Sequence, residues 1–182
     1  MSRFFIIHGV GGHPGENWFP WLKSELEKQG EEVIIPQFPT PKNQTLDNWL
    51  KVMENYEITP DSTLIGHSLG VPFVLNLIEK HPVKSAYLVA GFYGIAGNEF
   101  DESMKTFAQR DFDWEKIRQN CKDFTVFHSD NDPYIKIEKA YELADKLHIT
   151  PQILKGAGHI NSSAGYNSFQ ELLDAITSQT SQ

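Results

Sequence analysis

A single cysteine, three methionines and no apolar run of membrane-spanning length set the first limits on this 182-residue chain. Cys121 has no partner for an internal disulfide, so the fold does not depend on oxidation. It is read as a buried or half-buried structural thiol, because a reactive thiol needs an activating setting. Phe4–Ile7 is too short for the apolar core of a signal peptide and is followed by no small-residue cleavage site. Ser85–Gly97 is broken by Gly91, Gly94 and Gly97 and falls short of the ~18 residues of a membrane span. Basic residues are scarce as well: 16 Lys and Arg face 24 Asp and Glu, for a formal net charge of -8. With no basic run, neither a nucleic acid nor an anionic membrane surface is expected as a partner. The expectation is a soluble, cytoplasmic protein.

What is present suits a folded core. Hydrophobic residues make up 40% and aromatics 12%, unlike a disordered chain. Short apolar runs at Phe4–Ile7, Glu32–Ile35, Thr63–Ile65, Ala86–Val89, Phe124–Phe127 and Gln152–Leu154 are apolar on consecutive residues, the pattern of strands buried on both faces of a parallel sheet. Between them, Trp18–Gln29, Leu46–Asn55, Leu69–Lys80, Lys136–Leu147 and Ser168–Ser178 carry apolar residues three and four apart, as amphipathic helices do. The alternation predicts one α/β domain over residues 1–182, with about six mostly parallel strands and helices on both faces. Asn98–Asp113 is the least regular stretch and reads as an excursion over the sheet's C-terminal edge, too short for a cap domain. The polar run at residues 177–182 is expected to fray.

Gly66-His67-Ser68-Leu69-Gly70 carries the chemistry. This G-x-S-x-G follows a predicted strand and opens a predicted helix, the context of a nucleophile elbow. A turn this tight crowds its neighbours, so glycines at 66 and 70 remove side chains that would clash. Ser68 is left at the tip beside a helix N-terminus, whose partial positive charge favours a developing oxyanion.

The partners follow in the required order. Asp132 lies in the turn after the fifth run, and His159 lies in the loop Gly156-Ala157-Gly158-His159 after the sixth. In this reading His159 takes the Ser68 proton and Asp132 orients the imidazole and stabilises its cation. Asp130 competes for the acid role, and Asp132 is favoured because it immediately precedes Pro133. The oxyanion donors are assigned to the backbone N–H of Leu69 and of Val10, with Gly11 as the alternative to Val10. The glycine loop at residues 8–12 matches neither the dinucleotide fingerprint nor a P-loop. The remaining histidines have no metal-ligand spacing, so neither a metal nor a cofactor is expected. His8 is read as a loop anchor, and His67 is expected to point away from Ser68. Phe92, Tyr134 and Ile160 are predicted to line the substrate pocket, and Trp21 to sit in the core.

These residues resemble the small serine hydrolases of the YdeN and retinoblastoma-binding-protein-9 family. The resemblance rests on His8-Gly9-Val10-Gly11-Gly12, Trp18 through Trp21, the Ser68 motif, Asp113-Trp114-Glu115-Lys116-Ile117, Ser129 through Tyr134, and Gly158-His159-Ile160-Asn161. The stretch around Trp114 is the most family-specific, having no catalytic reason to be there. Lys136 departs from the pattern where a proline is common. The resemblance implies a compact, capless α/β-hydrolase fold, a Ser68–His159–Asp132 triad and acyl transfer of the esterase or peptidase type. The reading is hydrolysis of a small carboxylic ester through an acyl-serine. The alternatives are an amidase or aminopeptidase-like hydrolase of small peptides or aminoacyl esters, and a protein-interaction module with incidental activity.

Overall fold

A computed structural model describes residues 2–180. Six strands, β1 (Arg3–Ile7), β2 (Glu32–Ile34), β3 (Ser62–His67), β4 (Ser85–Val89), β5 (Asp123–Ser129) and β6 (Gln152–Leu154), form one parallel sheet in the order β2-β1-β3-β4-β5-β6. Seven α-helices accompany them among the described residues: α1 (Phe19–Lys28), α2 (Leu46–Met53), α3 (Gly70–Lys80), α4 (Asp101–Ala108), α5 (Trp114–Asn120), α6 (Ile137–Leu147) and α7 (Gln170–Thr180).

Successive strand residues point to opposite faces, which explains why the runs are apolar throughout. Phe4 and Ile6 of β1 join a core with Leu22 and Leu26 of α1 and Leu172 and Ile176 of α7. Phe5 and Ile7 join the other core, with Trp49 of α2, Phe73 and Leu77 of α3, and Leu143 of α6. Helices therefore cover both faces. Polar residues extend strands beyond their apolar runs: Ser62 begins β3 and Ser85 begins β4, and Ser85 shares a 2.9 Å hydroxyl hydrogen bond with Thr63.

The irregular stretch contains a helix that periodicity did not mark. Asp101 at the start of α4 accepts hydrogen bonds from the backbone N–H groups of Ala96, Gly97 and Asn98. Phe107 of α4 packs edge-on against Trp49 with ring centroids 4.9 Å apart. Helix α5 gives the Trp114 segment its purpose. Asp113 caps it by accepting the Lys116 N–H at 2.9 Å, and Trp114 packs on Tyr93 at 4.9 Å. Over eight and seven residues the two helices carry fewer spaced apolar side chains than α2, whose eight residues include Leu46, Trp49, Leu50 and Met53, so no period stands out. At the other end α7 runs through Thr180, and residues 181–182 of the polar terminal run lie outside those described.

Strand β1 sits between β2 and β3. The chain leaves β1 toward one side of the sheet, while β3 and its successors build the other. Loops diverge at such a switch point, and the crevice at the strands' C-terminal ends is where α/β sheets bind ligands.

Candidate active site

Ser68 follows β3 directly, at that crevice, with φ 55. A non-glycine residue pays on the order of 1 kcal/mol for this left-handed conformation. The surroundings hold it there. The Ser68 N–H donates to the Val89 carbonyl at 2.9 Å, and the Ser68 carbonyl accepts from Val71 N–H at 2.9 Å. The glycines are required by contact. A Cβ on Gly70 would lie 2.3 Å from the Ile7 carbonyl oxygen, and one on Gly66 would lie 2.7 Å from the Gly70 carbonyl. Ser68 is left half-buried on the wall of a cleft.

His159 comes from the loop after β6 and Asp132 from the turn after β5. Asp132 Oδ2 accepts from His159 Nδ1 at 2.8 Å, while Asp132 Oδ1 accepts the backbone N–H groups of Tyr134 at 2.8 Å and Ile135 at 3.0 Å. Burial opposes ionisation of Asp132. The His159 hydrogen bond and charge and the two backbone donors outweigh it, holding the carboxyl below its ordinary value. A carboxylate can only accept, so Nδ1 of His159 carries its proton and Nε2 is left as a base. Asp130 is occupied elsewhere: its Oδ1 accepts the Gly156 N–H at 2.7 Å. Asn131 Oδ1 accepts the Gly158 N–H at 2.8 Å. Three consecutive side chains thus staple the acid turn to the histidine loop.

His67 turns from Ser68 to His159. Its Nε2–H donates to the His159 carbonyl at 2.9 Å, and the two rings lie edge to face at 4.9 Å. Burial, then the nearby His159, pushes its pKa down to about 3. The unfolded chain therefore takes up this proton first, so stability is full above the unfolded value near 6.5 and falls as pH drops toward about 3. Denaturation between those limits should show a slope contribution approaching ~1.4 kcal/mol per pH unit from this residue. His67→Gln keeps a donor for His159 but cannot titrate, and should flatten the slope by that amount. An unchanged slope would mean that His67 is protonated in the folded protein.

His8 anchors the glycine loop. Its Nε2 accepts the Phe38 N–H at 3.1 Å, so Nδ1 carries the proton and donates to the Gly9 carbonyl at 2.8 Å. His128 is buried too, and desolvation lowers its pKa. Its Nε2–H donates to the Ile135 carbonyl at 2.9 Å, behind the acid turn. The N–H of Gly11 donates to Thr40 Oγ1 at 2.7 Å. The N–H groups of Val10 and Leu69 have no acceptor among the described residues.

The cleft holds about 380 Å³, the size for a small molecule. Two contiguous groups of side chains build it around Ser68, His67 and His159. Phe100, just before α4, and Met104 within it join Tyr134 and Ile135 in one group, where Asn98 Nδ2 donates to the Tyr134 carbonyl at 3.0 Å. Glu16 and Asn17 join Asn161, Ser162 and Ser163 in the other, where Asn17 Oδ1 accepts the Ser162 N–H at 3.0 Å. Tyr134 lies on this surface with its ring 5.0 Å from that of His159. Phe92 and Ile160 do not line it, contrary to expectation. Phe92 is fully buried in the α3-side core, and Ile160 is fully buried in the α1/α7 core, its carbonyl accepting Trp18 Nε1–H at 3.1 Å. Flanking a catalytic loop in sequence does not decide which way a side chain faces. Trp21 is partly buried against the α1/α7 core.

Cys121 is buried, and desolvation pushes its thiol up to about 12. Among the described residues no cluster of three or more His, Cys, Asp or Glu could hold a metal ion. No helix among them is long and apolar enough to cross a membrane.

A parallel sheet with a serine on the turn after its central strand defines an α/β hydrolase, and solved structures share this fold. The ydeN gene product of B. subtilis superposes with a TM-score of 0.93 at 27% identity, covering 100% of both chains. Est1E from Butyrivibrio proteoclasticus superposes with a TM-score of 0.72 at 16% identity, covering 100% of this chain and 89% of the other. The chain belongs to the Serine hydrolase family, whose pattern it matches over residues 4–178. It is 28% identical to the putative hydrolase YdeN of Bacillus subtilis, across 100% of this chain and 97% of that protein. It is also 28% identical to the serine hydrolase RBBP9 of Rattus norvegicus, across 97% and 95% of the two chains.

Proposed function

We propose that the protein hydrolyses a small carboxylic ester through an acyl-Ser68 intermediate. The observation that carries this reading is the 2.8 Å Asp132–His159 hydrogen bond, in a cleft that His159 shares with the strained Ser68. His159 Nε2 takes the Ser68 hydroxyl proton as Oγ attacks the carbonyl carbon. The N–H groups of Val10 and Leu69 receive the tetrahedral oxyanion. Collapse expels the alcohol, which leaves with the proton from His159. Water then attacks the acyl-enzyme, giving its proton to His159. A second collapse releases the carboxylic acid and returns the proton to Ser68. The reading extends to a cytoplasmic protein, supported by a fold that needs no disulfide.

A fluorophosphonate probe should label the protein at Ser68, located by peptide mass mapping. A panel of p-nitrophenyl esters set against aminoacyl p-nitroanilides should give faster turnover of the esters. Faster turnover of the anilides would move the protein to the amidase class, with the same side chains in the same roles.

A further inference from the structure

The glycine loop at residues 9–12 lies against the nucleophile: a Cβ on Gly9 would lie 3.1 Å from Ser68 Cβ and 3.5 Å from its Oγ, and Val10 lines the cleft. Two peptide groups of this loop carry the candidate oxyanion donors, and each is held by its own contacts. In the first, the Gly9 carbonyl accepts His8 Nδ1–H at 2.8 Å and the Gly12 N–H at 3.2 Å. The carbonyl and N–H of a trans peptide point opposite ways, so the Val10 N–H is turned away from both of these donors. In the second, the Gly11 N–H donates to Thr40 Oγ1 at 2.7 Å. Gly11 sits at φ 68 with nothing within 4 Å of where a Cβ would be, so packing does not fix this peptide and the hydrogen bond does.

Thr40 is set as an acceptor. A hydroxyl has one proton, and that of Thr40 goes to Gln44 Oε1 at 2.6 Å, which leaves its lone pairs for Gly11. Gln44 is 7% exposed, and its Nε2 donates to the Ser103 carbonyl of α4 at 3.0 Å. The loop is thus tied through Thr40 and Gln44 to α4, where Thr106 Oγ1 accepts the Leu46 N–H at 3.0 Å. Thr40 lies outside the cleft lining, so it acts on the reaction through Gly11.

Resting on the hydrolase reading above, we propose that Thr40 is a positioning residue for the oxyanion site: it takes up the Gly11 N–H and sets the peptide after Val10, so that Val10 N–H, and not Gly11 N–H, joins Leu69 N–H at the oxyanion. Its contribution belongs to the tetrahedral stage. Ser68 Oγ bonds to the carbonyl carbon, the π pair moves onto the carbonyl oxygen, and the Ser68 proton goes to His159. Only then does a full negative charge face the loop.

Two substitutions test this. Thr40→Val keeps the branched shape and removes the acceptor, and Thr40→Ser keeps the acceptor. On the p-nitrophenyl ester that the wild type turns over fastest, the valine variant should lose about tenfold in kcat with KM within about twofold. Butyl trifluoromethyl ketone, to which Ser68 adds to give a hemiketal oxyanion, should bind the valine variant about tenfold more weakly, read as protection against fluorophosphonate labelling. Thr40→Ser should return both quantities to within about twofold of wild type. Labelling carried to completion counts competent sites, so each rate is expressed per folded molecule. Where valine is not accommodated, Thr40→Ala carries the same expectations. An unchanged kcat overturns the proposal, as does a loss confined to KM or a serine variant as impaired as the valine one. So does a fall in kcat without the matching fall in ketone affinity, or loss of competent sites in both the valine and alanine variants, which would make the role of Thr40 structural. Absence of labelling in the wild type removes the hydrolase reading itself, and this proposal with it.

Discussion

Ser68→Ala should lower ester turnover by on the order of 10⁴-fold or more, to a residue sustained by the oxyanion donors and substrate binding alone. The thiol of Cys121 cannot take over the covalent step, because it is buried, pushed up to about 12, and does not line the cleft. Fluorophosphonate labelling should vanish in the same variant. The fold should survive, because the contacts that set φ 55 at this position are made by the backbone N–H and carbonyl, which alanine keeps. A variant with native stability that retains a tenth of the turnover would show that the nucleophile lies elsewhere.

Asp132→Asn should be nearly as damaging, at about 10³- to 10⁴-fold in kcat, through the tautomer of His159. Asp132 Oδ1 accepts two backbone N–H groups, from Tyr134 and Ile135, and Oδ2 accepts from His159 Nδ1. An asparagine has one oxygen for these two places. The two backbone donors demand it, which turns the NH2 group toward His159. Nδ1 must then become the acceptor, and the proton moves to Nε2, where the base is needed. Asp130→Asn has no such conflict. Its carboxylate accepts the Gly156 N–H at 2.7 Å, which an amide oxygen meets equally, so its loss should stay within about tenfold. Steady-state kinetics on one ester, with the two variants side by side, decide the matter. A larger loss at Asp130 would transfer the acid role to it.

The legible parts of this molecule are those written in adjacent residues. Each apolar run lies on a strand of the sheet, because a two-faced strand needs consecutive apolar side chains. Helices α1, α2, α3, α6 and α7 were visible in their spacing, and α4 and α5 were not: α4 is as short as α2 but lacks an apolar residue in its first three positions, and α5 is shorter still. The turn at Ser68 is likewise local, its glycines meeting backbone within a few residues or on the neighbouring strand. The pocket is different. Phe92 and Ile160 stand beside catalytic loops in sequence and are fully buried, while Phe100 and Met104 line the cleft from a stretch without a pattern.

By itself, the sequence determined the parallel α/β architecture, the strand–turn–helix that carries Ser68 and the order of an acid and a histidine behind it. Periodicity and turn sterics are short-range, and short-range rules can be read along a chain. Only the tertiary structure decided which aspartate meets His159, 27 residues away, and that His67 holds the His159 carbonyl across 92 residues. It also decided that Asn17 and Ser162, 145 residues apart, meet beside Glu16 to shape one part of the cleft. Those contacts depend on how the loops at the C-terminal edge of the sheet converge. That convergence is set by strand order, which no local pattern contains.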